Sequence, residues 1–396
     1  MNRSRRGQSP RDRRRPIIYL GHYVSESNPQ GRLAAASAVD KIDYVTRTIT
    51  SAGTAVRMVS SAKTFDNRFH ASSVEALAGD RELVSFATLP WIGKGGKLLS
   101  LVFGDLALFF YLLSHTDRWD TVVAYHSLDY RWVLRAARWV RRFRLVLEVE
   151  EVYQDVSQLS KGRARSELAT IACADHLILS TELLRERLAV DESKSIVCHG
   201  NYHPDLVASR NVPVWDNDLV HVVYAGIIDS AKNGAFVAVE AARYLNSSFH
   251  IHILGFGSAD EIGKLTELVK LVSQTAECRV SYDGLLRGQD FSGFLHGCSI
   301  GLSTQDGLGK YNASSFPSKV LTYLRHGLNV VSVPVPALEC SVLSSAVVFA
   351  KGGDPQNVAE AIATASSSPI LDTYGLLHSL DIKFREEMEQ LLSRSR

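Results

Sequence analysis

Three groups of residues fall where a strand or loop pattern gives way to something else, and each is equipped to handle charge or protons. At Phe316-Pro-Ser-Lys319 a polar loop runs into a helix pattern in which Val320, Leu321, Leu324 and Leu328 share a face. Pro317 suits the first helical turn, where its missing N–H costs nothing, and Ser314 or Ser315 offers a hydroxyl to cap the orphan amides. The positive end of that helix, carrying the Ser318 hydroxyl and the Lys319 ammonium, is a seat for a diphosphate. Gly327 then ends the helix, and residues 329–333 read as a short buried strand. Upstream, residues 145–153 read as a strand bearing three carboxylates. Alternation puts Glu148 and Glu150 on one face and Glu151 at the exit, where Glu150 and Glu151 are candidate bases. His126 follows a strand at 121–125, placed to take a proton or to hydrogen-bond a hydroxyl. Each residue also has an ordinary reading, a surface lysine or a histidine satisfied in the core.

Elements must bring such groups together, and the chain repeats a suitable pattern. A strand at 17–20, a glycine-bearing turn, a helix at 36–51 ending at Gly53 and a strand at 56–59 open a doubly wound sheet. Further strands are expected at 83–86, 121–125, 145–153 and 174–181, with helices at 97–114, 130–143 and 164–173. His199 and its neighbours through His203 lie near a hinge. A polar stretch follows, and the pattern restarts with strands at 220–225, 250–254, 280–282 and 300–303. Ser258 and Glu261 have capping-box spacing at the start of a helix. Gly255-Phe-Gly257 lacks the third glycine of a dinucleotide fingerprint and reads as a close-packing turn. The expected fold is α/β, two Rossmann-like doubly wound domains facing a cleft. The divisions are a basic tail at 1–15, a first domain at 16–203, a linker at 204–218, a second domain at 219–372 and a terminal helix at 373–396.

Composition is that of an ordinary soluble globular chain, with 45% hydrophobic and 22% charged residues in 396. The five scattered cysteines contain no C-x-x-C pair, so neither a zinc ribbon nor a disulfide framework is expected and a reducing cytoplasm fits best. The net charge of +2 conceals a tail of seven arginines against Asp12, which leaves about −4 on the remainder. That tail lacks apolar periodicity and reads as disordered, able to touch anionic lipid. It does not read as a secretory signal, since residues 16–20 are too short an apolar run.

The apolar run at 98–113 falls short of the ~20 residues of a membrane span and is interrupted by Gly104 and Asp105. A helix packed beneath a sheet is expected, with an interfacial monotopic helix as the alternative. In the helix at 130–143, Arg131, Arg135, Arg138 and Arg142 form one stripe. Trp132, Ala136, Trp139, Val140 and Phe143 form a broad apolar side, expected to cover the sheet. The alternative is a membrane-facing basic surface.

The stretch from Phe316 to Ser332 resembles the signature of GT-B glycosyltransferases, in particular their GT4-like group. A Phe-Pro-x-Lys turn there opens the donor-binding helix, and the sequence continues as in Leu321-Thr-Tyr-Leu-Arg-His-Gly-Leu-Asn-Val-Val-Ser332. The family's pair of glutamates would fall on Ser314 and Thr322, so both carboxylates are missing. Gly226-Ile-Ile-Asp-Ser-Ala-Lys-Asn233 occupies the place of the family's phosphate loop, with Lys232 matching and Ile227 standing where arginine is usual. The resemblance implies that Gly226, Lys232, Ser315, Ser318, Lys319 and Thr322 meet the donor, and that the backbone at Tyr282 and Gly284 reads its base. It implies that Gly21, Tyr23 and His199 line the interdomain cleft, and that the terminal helix crosses back to the first domain. It further implies transfer of a sugar from a nucleotide diphosphate sugar, UDP foremost, to a glycan or polyprenyl-diphosphate acceptor in surface polysaccharide assembly. No metal or other cofactor and no nucleic acid is expected, and the location is cytoplasmic or peripheral at the membrane. The alternatives are a UDP-sugar 2-epimerase and a non-catalytic scaffold that binds a nucleotide sugar.

Overall fold

The computed structural model describes residues 15–25, 31–64, 66–205, 212, 215, 218–305, 315–369 and 371–393. Most of the arginine-rich tail, most of the linker and Ser314 lie outside these. Arg15, at the tail's end, pairs with Asp117 at 2.6 Å. The first unit contains β1 (Ile17–Gly21), α1 (Ala36–Ser51), β2 (Val56–Ser60), β3 (Ser73–Leu77), β4 (Arg81–Ser85), α2 (Gly93–His115) and β5 (Thr121–Tyr125). It continues with α3 (Arg131–Arg141), β6 (Arg144–Val149), α4 (Tyr153–Val156), α5 (Lys161–Ala172), β7 (His176–Leu179), α6 (Glu182–Leu188) and β8 (Ser195–Val197). The second unit contains β9 (Val220–Ile227), α7 (Gly234–Ala241), β10 (Phe249–Phe256), α8 (Ala259–Ser273), β11 (Arg279–Gly284), α9 (Gly288–His296) and β12 (Ile300–Ser303). After these come α10 (Ser318–Arg325), β13 (Asn329–Ser332), α11 (Pro336–Glu339), β14 (Val347–Phe349), α12 (Pro355–Ser367) and α13 (Thr373–Ser393).

Strand order in the first sheet is β3-β4-β2-β1-β5-β6-β7-β8, parallel except for β3, which runs antiparallel to β4. The second sheet is β11-β10-β9-β12-β13-β14, parallel throughout. Val122, Val123, Leu145, Val146, Val330 and Val331 are buried, the continuous apolar runs of strands covered on both faces. Each order reverses once, between β1 and β5 and between β9 and β12, and the crevices at such points are where doubly wound sheets hold ligands. The two units touch through α13, which packs on α1 and α10. Phe384 of α13 stacks on Tyr44 of α1 at 5.6 Å, and the Tyr44 hydroxyl donates to Asp381 at 2.9 Å.

Several elements depart from the expected ones. The helix at 97–114 is not packed beneath the sheet. It is α2, 23 residues long, and only Leu108 and Leu112 of it are buried. Leu98, Leu99 and Phe110 are 63%, 62% and 61% exposed. The reason is that α2 rests on α3, where the Trp132 indole donates to Asp105 at 2.8 Å and Phe109 meets the Trp132 ring. It is long and apolar enough to cross a membrane by length and composition. The apolar side expected for α3 is likewise not its buried face. Val133, Leu134 and Ala137 are buried, whereas Trp139 is 83% exposed. Phe143 is buried only because Arg142 adopts a left-handed conformation (φ 60°) and turns the chain inward after the helix. Arg138, expected in a solvated stripe, is tied to Asp175 at 2.7 Å. The antiparallel β3 had no counterpart among the expected strands. β6 ends at Val149, so Glu150 and Glu151 stand in the loop beyond it. Pro317 is itself the N-cap of α10, which has no side-chain cap.

Candidate active site

α10 is fastened to the end of the second sheet by its own tyrosine. The buried Tyr323 hydroxyl accepts from the Ala225 amide at 2.9 Å and donates to the Leu302 carbonyl at 3.2 Å, bridging β9 and β12 at the switch point. This fixes where the first turn of α10 points. Lys319 consequently lies across the end of β9, its ammonium 5.2 Å from the Tyr224 ring centre. A Cβ on Gly226 would stand 2.5 Å from Lys319 Cε, so a side chain at 226 would displace the lysine. Gly255 lies against Gly226, with φ +148° and only 1.8 Å between a hypothetical Cβ and the Gly226 oxygen, so no other residue fits. Burial, and then the nearby positive charge of Lys232, pull the Lys319 pKa down to about 8. Lys232 is exposed, on the turn that Asp229 closes by accepting from the Ala231, Lys232 and Asn233 amides. The structure thus brings Gly226, Lys232 and Lys319 together at the amino end of α10, beside the exposed Ser318.

The facing edge belongs to the first unit. Ser315 does not cap α10. Its hydroxyl donates to Glu151 Oε2 at 2.9 Å, joining the two units across the cleft. Burial raises the Glu151 pKa, partly opposed by that hydrogen bond and by the charge of Lys232. Glu150 is differently placed, since its carboxylate is held by the buried Lys41 ammonium, which also donates to the Cys198 carbonyl at 2.7 Å. Glu148 is completely buried, accepts from the Tyr19 hydroxyl and lies 3.7 Å from Lys41. Burial pushes its pKa up to about 7, with Lys41 opposing and Glu150 adding to the rise. As a candidate base, Glu150 is therefore committed to an ion pair, and Glu151 is the carboxylate at the cleft. Lys41, Tyr19 and Tyr323 were missed in the sequence. Lys41 left a signal, because it shares the α1 face of Tyr44, Val45 and Thr48, where a lysine must find a buried partner.

The other expected site residues divide. His126 is buried at the end of β5, 3.7 Å from Glu167, and neither ring nitrogen has a hydrogen-bond partner among the described residues. Burial lowers its pKa to about 4, so it is neutral at pH 7 and fit to hydrogen-bond rather than to act as an acid. His199 has both nitrogens engaged, by Tyr202 at 2.9 Å and Glu182 at 3.1 Å, and its ring packs against Phe316. It supports the turn before α10 from below. Gly21 and Tyr23 do not line the cleft with side chains. A Cβ on Gly21 would point at Ile42, and Tyr23 is buried with its hydroxyl toward Asp43 at 3.4 Å. Tyr282 spends its hydroxyl on the Gly255 carbonyl at 3.1 Å, and Gly284 (φ 81°) turns the chain at the end of the edge strand β11. Thr322 folds its hydroxyl back onto the Ser318 carbonyl at 3.2 Å, one turn into α10.

Solved structures share this fold. The sucrose-phosphate synthase of Thermosynechococcus elongatus aligns with a TM-score of 0.69 at 17% identity, over 96% of this chain and 100% of that one. An Escherichia coli trehalose-6-phosphate protein bound with UDP-2-fluoro glucose aligns with 0.69 at 11% identity, over the same shares. Anabaena HepE in complex with UDP aligns with 0.65 at 12% identity, again over 96% and 100%. No family model and no curated protein matches the sequence. These likenesses establish the architecture, which is the GT-B fold, with two parallel-sheet Rossmann-like domains.

Proposed function

We propose that the chain is a glycosyltransferase that takes a sugar from a nucleotide diphosphate sugar, with UDP as its nucleotide. The observation that carries this is the convergence of Lys319, Lys232 and Gly226 on the amino end of α10, facing Glu151 of the other domain. Two ammonium groups and a helix terminus offer positive charge where a diphosphate leaving group gains negative charge as the glycosidic bond breaks. In this reading they serve where a metal would otherwise be needed. Glu151 is the acceptor-side carboxylate, and neutral His126 is a hydrogen-bond partner for a sugar hydroxyl. Support for UDP comes from two of the similar structures, which hold UDP or a UDP-sugar analogue by their descriptions.

The acceptor in this proposal is a glycan or a polyprenyl-diphosphate-linked sugar used in surface polysaccharide assembly, and the protein is peripheral at the cytoplasmic face of a membrane. The exposed apolar face of α2, with Lys94 and Lys97 at its start and Trp139 exposed on α3, supports this. Because Leu108 and Leu112 belong to the domain core, α2 would lie in the interface rather than span it. Calorimetric titration with UDP, GDP and ADP tests the donor site: UDP binds, and Lys319→Ala or Lys232→Ala removes the binding. If no nucleotide binds, or both variants bind UDP as the wild type does, the reading is wrong. UDP binding with no transfer from any UDP-sugar, on glycan or lipid-linked acceptors, would leave the scaffold alternative. Sedimentation with anionic vesicles, abolished by Leu98→Asp with Leu99→Asp, tests the membrane part.

A further inference from the structure

A second group of potential ligand atoms lies at the opposite end of α10. His326, immediately after that helix, donates Nδ1–H to the Thr322 carbonyl at 2.7 Å; a carbonyl can only accept, so Nδ1 carries the proton of the neutral ring. Its Nε2 then carries a lone pair, buried and without a hydrogen bond among the described residues, yet it lies 3.0 Å from Asp205 Oδ2. A lone pair facing a carboxylate is repulsive unless a proton or a metal cation stands between them, and Nε2 makes no well-formed hydrogen bond to Asp205, which favours the metal. His296, at the end of α9, has its Nε2 buried and unsatisfied among the described residues as well, and its ring centre is 4.8 Å from that of His326. One ligand atom from each of His296, His326 and Asp205 lies within 4.8 Å of the other two.

A second histidine cluster in the same domain shows what such a group looks like when nothing is missing. His221, His250 and His252 also come within 4.8 Å of one another. There, His221 Nδ1 meets His252 Nε2 at 3.0 Å, His252 Nδ1 meets Asp283 at 3.1 Å, and His250 Nε2 meets the Ser281 hydroxyl at 3.0 Å. That cluster closes on itself. The cluster at α10 does not.

We propose that His296, His326 and Asp205 bind one zinc ion, or another borderline divalent first-row metal. Two imidazoles and a carboxylate are a borderline ligand set, and magnesium and calcium prefer all-oxygen surroundings. Tetrahedral bonds of 2.0–2.1 Å place neighbouring ligand atoms about 3.3 Å apart, which the 3.0 Å separation needs little change to reach. The outer partners are those of a ligating histidine and carboxylate: Nδ1–H of His326 on a carbonyl, and the Ser292 hydroxyl donating to Asp205 Oδ2 at 3.1 Å. A water completes the set. The carboxyl end of α10 adds favourable negative potential for a cation.

The position gives the ion its role. Asp205 stands where the chain leaves the first domain, and its amide already donates to the Arg325 carbonyl at 2.9 Å. Arg325 in turn donates to the His203 carbonyl at 2.6 Å and pairs with Asp40 of α1 at 2.8 Å. The ion would clamp this crossing to the base of α10, about 10 Å of helix from Lys319. It is a structural site that leaves the donor centre metal-free, and it stands whether or not the nucleotide reading does.

The test uses the full chain, stripped with a chelator, re-equilibrated with zinc chloride, desalted and assayed by elemental analysis and thermal unfolding. One zinc per chain is expected, with a Tm rise of roughly 3–5 °C at a hundredfold excess over Kd and none with magnesium. His326→Gln and His296→Gln lose the zinc, Asp205→Asn binds it at least tenfold more weakly, and His252→Gln keeps it. Circular dichroism confirms that each variant is folded, and Asp205→Asn, which retains the Ser292 contact, serves if a histidine variant is not. Retention of less than half a zinc per chain overturns the proposal. So does zinc that survives in His326→Gln or disappears in His252→Gln.

Discussion

Two lysines are enclosed at facing edges of the two sheets, and they live in opposite surroundings. Lys41 of α1 is 4% exposed, and although burial alone would lower its pKa, Glu150, Cys198 and Glu148 raise it well above the ordinary lysine range. Lys319 of α10 has no carboxylate partner among the described residues, and its largest neighbouring charge is another lysine, so its pKa falls to about 8. The first arrangement is complete as it stands. The second costs the folded chain free energy until an anion arrives, and a protein keeps such an arrangement where binding repays it. The difference separates a lysine that holds a domain together from one that, under the proposed function, waits for a ligand, although both sit at the carboxyl ends of parallel strands.

The largest effect expected from this contrast is on stability. Lys41→Met leaves Glu148 and Glu150 without their cation in a buried place, which costs about 3–5 kcal/mol. Lys319→Met removes a charge that nothing balances and should leave the unfolding temperature unchanged or raise it. Thermal unfolding of the two variants side by side decides this. Equal losses would mean that Lys319 is as structurally paired as Lys41, and the contrast would fail.

A smaller effect is expected in the pH dependence of UDP binding. With its pKa at about 8 in the free protein, Lys319 is partly neutral above pH 8, and a bound diphosphate raises that pKa. Binding in this range therefore takes up a proton, so the association constant falls as pH rises, by up to about tenfold per unit. The nucleotide's own phosphate, with a pKa of ~6, is fully ionised there and does not contribute. Calorimetry in buffers of different ionisation enthalpy reads the proton directly. Lys319→Arg, which stays charged, should abolish the decline. A decline that persists in Lys319→Arg would assign the titration elsewhere.

How much of this was legible in the chain depended on whether a residue's neighbours were local. The alternation of strands and helices and the restart at residue 220 show in short-range periodicity, as do the Gly327 stop and the Ser258 cap, where the Glu261 amide donates to Ser258 Oγ at 3.3 Å. The start of α10 was legible because proline, serine and lysine act within one turn, and Lys319 lies at its amino end. What failed needed knowledge of distant partners. The face α3 buries is set by α2 and α5, so its tryptophans could not be assigned inward or outward from spacing. Glu150 and Glu151 are adjacent and chemically identical, and only Lys41, 109 residues before Glu150, separates their roles. His126 was legible at the end of its strand and Tyr23 was expected at the cleft, but burial, which depends on the whole sheet, decides what each can do.

The smallest effect probes whether the two edges meet in solution as they do in the structure. The Ser315 hydroxyl and the Glu151 carboxylate are the direct polar contact between the donor turn and the facing carboxylate. Ser315→Ala should cost about 1 kcal/mol of stability, less than the roughly 1.5–3 kcal/mol of a hydrogen bond to a charged acceptor because water partly replaces it. Glu151→Gln keeps an acceptor oxygen and costs less, so the informative quantity is the coupling in a double-mutant cycle. A coupling of about 0.5–1 kcal/mol in the UDP-free protein places the two edges in contact before substrate binds. A coupling near zero without UDP that appears when UDP is added would mean that the ligand on Lys319 draws the edges together. The lysine without a carboxylate would then govern closure as well as binding.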